Sequence, residues 1–296
     1  MKRFKFKKID AFTCGKSSGN PAGCVYLHKR GDISDVEMQL IAGELKGYVN
    51  EVVYLFPDTD GYFLKYYSSE CEVAFCGHGT IAAMYDLIKN NRELLKKDAI
   101  RIKVGDDFLE IYNHIKEDDS IYIMAPNPMH YPVTIKSELI ARELNINHES
   151  IDTGYDVDLV NAGLKTLIVP IRSLKECLEM KPDQMMLKSF CLEYDIDIIL
   201  VFTKEVADTN NNFRTRVFAP KYGYLEDPAT GSGNSAFGYY LLSKKLWDGN
   251  DLTIEQNNSY DFQNIVKLRT INKNNKTFVV FGGNAVVRIE GDYFIP

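Results

Sequence analysis

Short runs with β-type patterning alternate along this chain with a few helical ones, and the alternation occurs twice. In the first half, Phe4 to Phe12, Gly23 to Leu27, Asn50 to Phe56, Tyr62 to Tyr67, Ile100 to Val104, Leu109 to Asn113 and Ile121 to Met124 are β-rich and bounded by turn residues, so strands are predicted there. A helix is predicted from about Asp35 to Leu45, where Ser34 and Glu37 stand in capping-box spacing and Met38, Ile41 and Leu45 share one face. Pro126, Pro128 and Pro132 then punctuate the chain and mark a change of domain. Beyond them the plan repeats, with strands expected at Leu164 to Val169, Ile196 to Phe202, Arg214 to Ala219 and Thr277 to Phe281, and a helix from Asp183 to Glu193 matching the one at Asp35. The expected division is 1–126 plus about 285–296 against 127–284.

The most telling pattern is a motif present in both halves, CGHGTIAAMYDL from Cys76 to Leu87 and TGSGNSAFGYYL from Thr230 to Leu241. Each copy reads as a glycine-bracketed turn entering a helix. Ile81, Met84, Tyr85 and Ile88 follow helical spacing, while Ala82, Ala83, Ala236 and Gly238 leave the other faces small and apolar, so these helices are expected to be buried on most sides. The fold class expected is α+β: two pseudo-symmetric halves, each a β-barrel-like shell round a central helix, with both helix starts opening on the cleft between them. A helix start offers unpaired N–H groups and partial positive charge, and Gly77, Gly79, Gly231 and Gly233 let an anion approach the backbone. Two such starts facing one cleft point to a small, carboxylate-bearing ligand.

Composition narrows the function class. A chain of 296 residues, 45% hydrophobic, can bury a sizeable core in two domains. Its formal charge of −6 argues against a phosphate-backbone partner, so no nucleic acid is expected. The basic start MKRFKFKKID leads into no apolar signal segment, and no run approaches the roughly 18 residues of a membrane span, so a cytoplasmic protein without a membrane partner is expected. The six cysteines show no CxxC spacing and the five histidines no HExxH pair, so reduced thiols and no metal are expected. The GxGxxA pattern resembles a dinucleotide fingerprint, but Asp227 and Pro228 interrupt any strand before the second copy and no GK[ST] follows.

Glu51 carries the first candidate chemistry. In VNEVVYLF its row-mates are Val49, Val53 and Leu55, so an acid interrupts an apolar row; burial there would raise its pKa above about 4.3 and suit it to acid/base work. The other reading is a strand-edge carboxylate paired with a lysine. His78, at the first motif helix start, reads either as a hydrogen-bond donor or proton carrier, discouraged from protonation by the helix end, or as a capping or core histidine. Asp227 and Ser232 read either as site residues or as an Asp-Pro turn and a helix N-cap.

GNPAG (Gly19 to Gly23), Glu51, EVAFCGHGT (Glu72 to Thr80) and RVFAPKYGYLEDPATGS (Arg216 to Ser232), in this order, resemble the PhzF-like phenazine-biosynthesis isomerase family, which is similar in fold to diaminopimelate epimerase. The resemblance implies a cofactor-independent biosynthetic isomerase that shifts a proton between carbon atoms. Glu51 matches its catalytic acid/base, and His78, Asp227 and Ser232 match its relay or substrate-contacting positions. Asn20 and Thr80 join Gly77, Gly79, Gly231, Ser232 and Gly233 in the substrate-binding set. The terminal EGDYFIP is expected to return to the first half, and a homodimer is compatible.

Departures bear on the substrate: Ser68 and Ser69 replace a Thr-Pro pair, and EQNNSYDFQNIV (Glu255 to Val266) replaces a Gln-Gly with Gly-Arg-Pro-Ser, removing an arginine. The two-thiol design of diaminopimelate epimerase finds only Cys76 here, with Thr230 at the second position. Asp197 stands opposite Glu51 by pseudo-symmetry and is a candidate second base. Two other functions stay open: a non-catalytic binding or regulatory protein, and a racemase or epimerase using Cys76 with another base.

Overall fold

The computed structural model describes Met1 to Ile295. The chain folds into two units, one formed by Met1–Met124 and the chain from Gly282 onward, the other by Ala125–Phe281.

In the first unit, strand Lys2–Ala11 pairs antiparallel on one side with Asn20–Tyr26 and on the other with the last strand, Ala285–Ile295. Asn20–Tyr26 runs parallel to Glu51–Asp58, which pairs antiparallel with Gly61–Ser68. Gly61–Ser68 in turn pairs with the short strand Glu72–Val73 and runs parallel to Ala99–Val104, followed by Asp107–His114 and Ser120–Met124. Two helices make the parallel crossovers. Asp35–Glu44 is capped as its sequence demands, Ser34 Oγ accepting from Glu37 N and the Glu37 carboxylate accepting from Ser34 N. Gly77–Lys89 lies inside the curve of the sheet, against strands Lys2–Ala11, Asn20–Tyr26, Glu51–Asp58, Ser120–Met124 and Ala285–Ile295, and every residue from Gly79 to Asp86 is buried.

This layering changes one expectation. Strand Glu51–Asp58 carries the central helix on one face and Met38, Ile41 and Ala42 of the outer helix on the other, so Val52 to Phe56 are all buried and no half-exposed row exists. Glu51 therefore opens a strand covered on both faces instead of interrupting one apolar row.

The second unit repeats the main plan of the first. A hairpin, Asp158–Asn161 and Lys165–Pro170, is followed by a helical crossover containing Gln184–Glu193 and a parallel strand, Ile198–Thr203. Phe213–Phe218 pairs antiparallel with it and with the short Glu226–Asp227. The central helix Gly231–Ser243 then leads to Leu252–Gln256, parallel to Phe213–Phe218, and to Asn264–Lys273. The sequence patterns missed Leu252–Gln256 because it ends in Glu255 and Gln256, both fully buried. Glu255 is tolerated there by the backbone N–H groups of Ala207 and Asp208 at 2.9 and 2.8 Å, the Asn211 amide at 2.9 Å and the buried Arg214 guanidinium at 3.5 Å. Among the described residues no helix is long and apolar enough to cross a membrane.

Candidate active site

Glu51 is held by the backbone on both sides, opposite Ala22 in the parallel pair and Ser68 in the antiparallel one. On its face of the strand, Val53 meets the start of helix Gly77–Lys89: a Cβ added at Gly79 would lie 2.7 Å from Val53 Cγ2 and 2.9 Å from Cys76 Sγ. Only glycine lets helix and strand approach this closely. Cys76 is the N-cap residue, extended in backbone, and its sulfur accepts from Gly79 N at 3.3 Å.

Three side chains converge as a result. His78 Nε2 lies 3.1 Å from Glu51 Oε2, Cys76 Sγ lies 3.8 Å from the same oxygen, and Sγ is 3.5 and 3.8 Å from the two nitrogens of His78. Cys76 is buried, whereas the side chains of His78 and Glu51 keep 11% and 15% of their exposure, enough to meet a ligand. Burial alone would depress the His78 pKa, but Cys76 and Glu51 outweigh it and hold the imidazole well above its ordinary range. The net direction is opposite to the one expected from the helix end. Burial pushes the Cys76 thiol up, against the opposing pull of His78.

Other residues expected to bind substrate already have partners within the fold. Thr80 is fully buried; its hydroxyl donates to Cys76 O at 2.7 Å and is 2.7 Å from Tyr66 Oη. Asn20 is fully buried, its side-chain oxygen accepting from Asn50 Nδ2 at 2.9 Å. The space beside Gly231 belongs to Phe281, 2.3 Å from a would-be Cβ, and that beside Gly233 to Ile198 at 3.1 Å.

In the second unit Thr230 occupies the position of Cys76 with nearly the same backbone, φ −124° and ψ 109° against −128° and 107°. Its hydroxyl donates to Asp227 Oδ2 at 2.5 Å. Gln256, unmarked by sequence reasoning, ties this turn together: its carbonyl accepts from Thr230 N and Asn234 Nδ2 at 2.9 and 2.7 Å, and its amide donates to Asp227 O and Thr230 Oγ1 at 2.9 and 3.0 Å. The visible signal was the Glu-Gln pair itself, read only as a departure. Ser232 is half-buried on the first turn. Asp197 has both oxygens engaged, one accepting from Lys165 N at 2.9 Å and the other from Lys221 Nζ at 2.8 Å.

Glu51, Cys76 and His78 also form a group whose donor atoms all lie within 4.8 Å of one another, close enough to hold a metal ion. As it stands, the group can accept a proton at Glu51, hold one at His78 and donate one from Cys76.

Comparison with known proteins places the fold and the family. The chain is 29% identical over 299 residues to an uncharacterized isomerase of Clostridium acetobutylicum, covering 97% of each. The crystal structure of the Bacillus anthracis phenazine biosynthesis protein of the PhzF family superposes with a TM-score of 0.88 at 26% identity, covering 100% of both chains. A hydroxyproline epimerase from Agrobacterium vitis shares the fold at a TM-score of 0.62 and 12% identity, over 99% of this chain and 91% of the other. The architecture is thus the duplicated α+β fold of the diaminopimelate epimerase type. Since the model of the phenazine biosynthesis-like proteins matches residues 9–291, this chain belongs to the PhzC-PhzF family.

Proposed function

We propose that this protein is a cofactor-independent isomerase that moves a proton on a small carboxylate-bearing metabolite, with Glu51 as its acid/base. The observation that carries this reading is the Glu51 carboxylate, anchored 3.1 Å from His78 Nε2 and still partly exposed. Glu51 takes a proton from a substrate carbon, the electron pair delocalises into the adjoining unsaturation, and the same carboxyl returns the proton to another carbon while the substrate stays bound. His78 steadies the carboxylate and exchanges protons with it. The N–H groups at the start of helix Gly77–Lys89, beside Glu51, supply donors for the substrate's carboxylate.

Solvent-deuterium uptake into a panel of small unsaturated amino acids and cyclohexadiene acids, read by mass spectrometry, tests the reading. Incorporation into at least one compound is expected. A compound that binds the wild-type chain with no exchange in any panel member would favour a binding protein instead. The position of Cys76 supports a second reading, epimerisation with the thiol as acid: its sulfur lies 3.8 Å from Glu51 Oε2, and burial raises its pKa. Unimpaired inversion by Cys76→Ser would exclude it.

A further inference from the structure

We propose that the Glu51–Cys76–His78 group is also a capture site for a soft divalent transition-metal ion, zinc above all, and that the bound ion switches the acid/base off. Binding stands on the geometry alone; the loss of turnover rests on the reading of Glu51 given above.

The three donor atoms form a triangle of the size a zinc ion needs. Zinc bonds of about 2.0–2.1 Å to nitrogen and oxygen and about 2.3 Å to sulfur, at tetrahedral angles, require ligand separations of roughly 3.3 Å between N and O and roughly 3.6 Å from S to either. The three separations here are 3.1 Å for His78 Nε2 to Glu51 Oε2, 3.8 Å for Cys76 Sγ to Glu51 Oε2 and 3.8 Å for Cys76 Sγ to His78 Nε2. Each lies within about 0.3 Å of the required edge. An ion can therefore be seated without moving the backbone.

The donor chemistry agrees. One thiolate, one imidazole and one carboxylate form a set that selects zinc or cobalt over magnesium or calcium, which prefer oxygen alone. Capture forms three bonds, from Sγ, Nε2 and Oε2 to the ion, and releases to solvent the proton of the Cys76 thiol and that of His78. Thiolate and carboxylate then balance the two positive charges. Gly79 N, donating to Sγ at 3.3 Å, remains as an outer partner fixing the sulfur. The partial exposure of Glu51 and His78 gives the ion an entry path and leaves a fourth position for water or an acidic ligand. With Oε2 on the metal, Glu51 can no longer take a proton from carbon.

The test uses the full chain freed of metal by a chelator. Cys14 and Cys71 are the exposed thiols, and a Cys14→Ser/Cys71→Ser background removes them as competing ligands. Cobalt(II) alone is titrated in and the thiolate-to-cobalt charge-transfer absorption is read, followed by displacement with zinc. The proposal expects one ion per chain in that background, no charge-transfer band when Cys76→Ser is added, and an affinity lowered by more than about 100-fold in Glu51→Gln or His78→Gln, since even outer partners cost roughly 10- to 100-fold. The latter two keep the sulfur and serve if Cys76→Ser fails to fold. No band in the background chain, a band that survives Cys76→Ser, or unchanged affinity in both other variants would overturn it. Zinc at one equivalent should also abolish solvent-deuterium exchange. If no exchange exists to abolish, the acid/base reading fails while the cobalt band still stands or falls by itself.

Discussion

At the scale of single residues, His78 sets the charge state of the site. Burial pulls its pKa down, Cys76 and Glu51 push it up, and the net shift is upward from 6.5. A group whose folded pKa is raised lends stability that is present in full below the unfolded value and is lost as pH rises through the folded one. The stability difference between wild type and His78→Gln is therefore expected to be largest below about pH 6.5 and to shrink at alkaline pH. Thermal melts of the two proteins from pH 5.5 to 9 check this, and parallel curves would contradict it. Asp197 offers the converse case: both oxygens are tied to Lys165 and Lys221, so Asp197→Asn should exchange deuterium at close to the wild-type rate, with loss of activity contradicting this. Glu51 and His78 stood out in the sequence because an acid interrupting an apolar row and a histidine between glycines are locally anomalous. Gln256 did not, since its importance comes from four hydrogen bonds to residues more than twenty positions away.

At the scale of elements, the two motif helices begin alike because the same backbone is needed twice: an extended cap residue, then a turn close against a strand. Gly79 has no room for a side chain, so Gly79→Ala must displace Val53 or the Cys76 sulfur. Overpacking of this kind costs about 1–3 kcal/mol, to be read as a lowered urea midpoint, together with a slower exchange rate as Cys76 and His78 shift from Glu51. An Ala variant of wild-type stability would show that the helix start has slack. Capping boxes and glycine turns are local, and Asp35–Glu44 was accordingly legible from Ser34 and Glu37. Leu252–Gln256 was not, because its polar end is buried by partners that only the folded chain supplies: Arg214 and the backbone of Ala207 and Asp208 for Glu255, and Thr230 and Asn234 for Gln256.

At the scale of the whole molecule, one plan is used twice: hairpin, helical crossover, antiparallel pair, short strand, central helix, second parallel crossover. The duplication was readable in the repeated motif, and the layering was not, since an outer helix packed over each sheet erases the alternation that would mark a half-buried strand. The copies then differ where chemistry matters. Cys76 and His78 of the first correspond to Thr230 and Ser232 of the second, so the thiol and the imidazole belong to one unit alone and stand beside Glu51. This asymmetry favours a single acid/base over a pair of opposed thiols. The most direct measurement is solvent-deuterium exchange on one exchanging compound by wild type, Glu51→Gln and Cys76→Ser in parallel. The account predicts a loss of about 10²- to 10⁴-fold for Glu51→Gln with a much smaller loss for Cys76→Ser; full exchange by Glu51→Gln would contradict it.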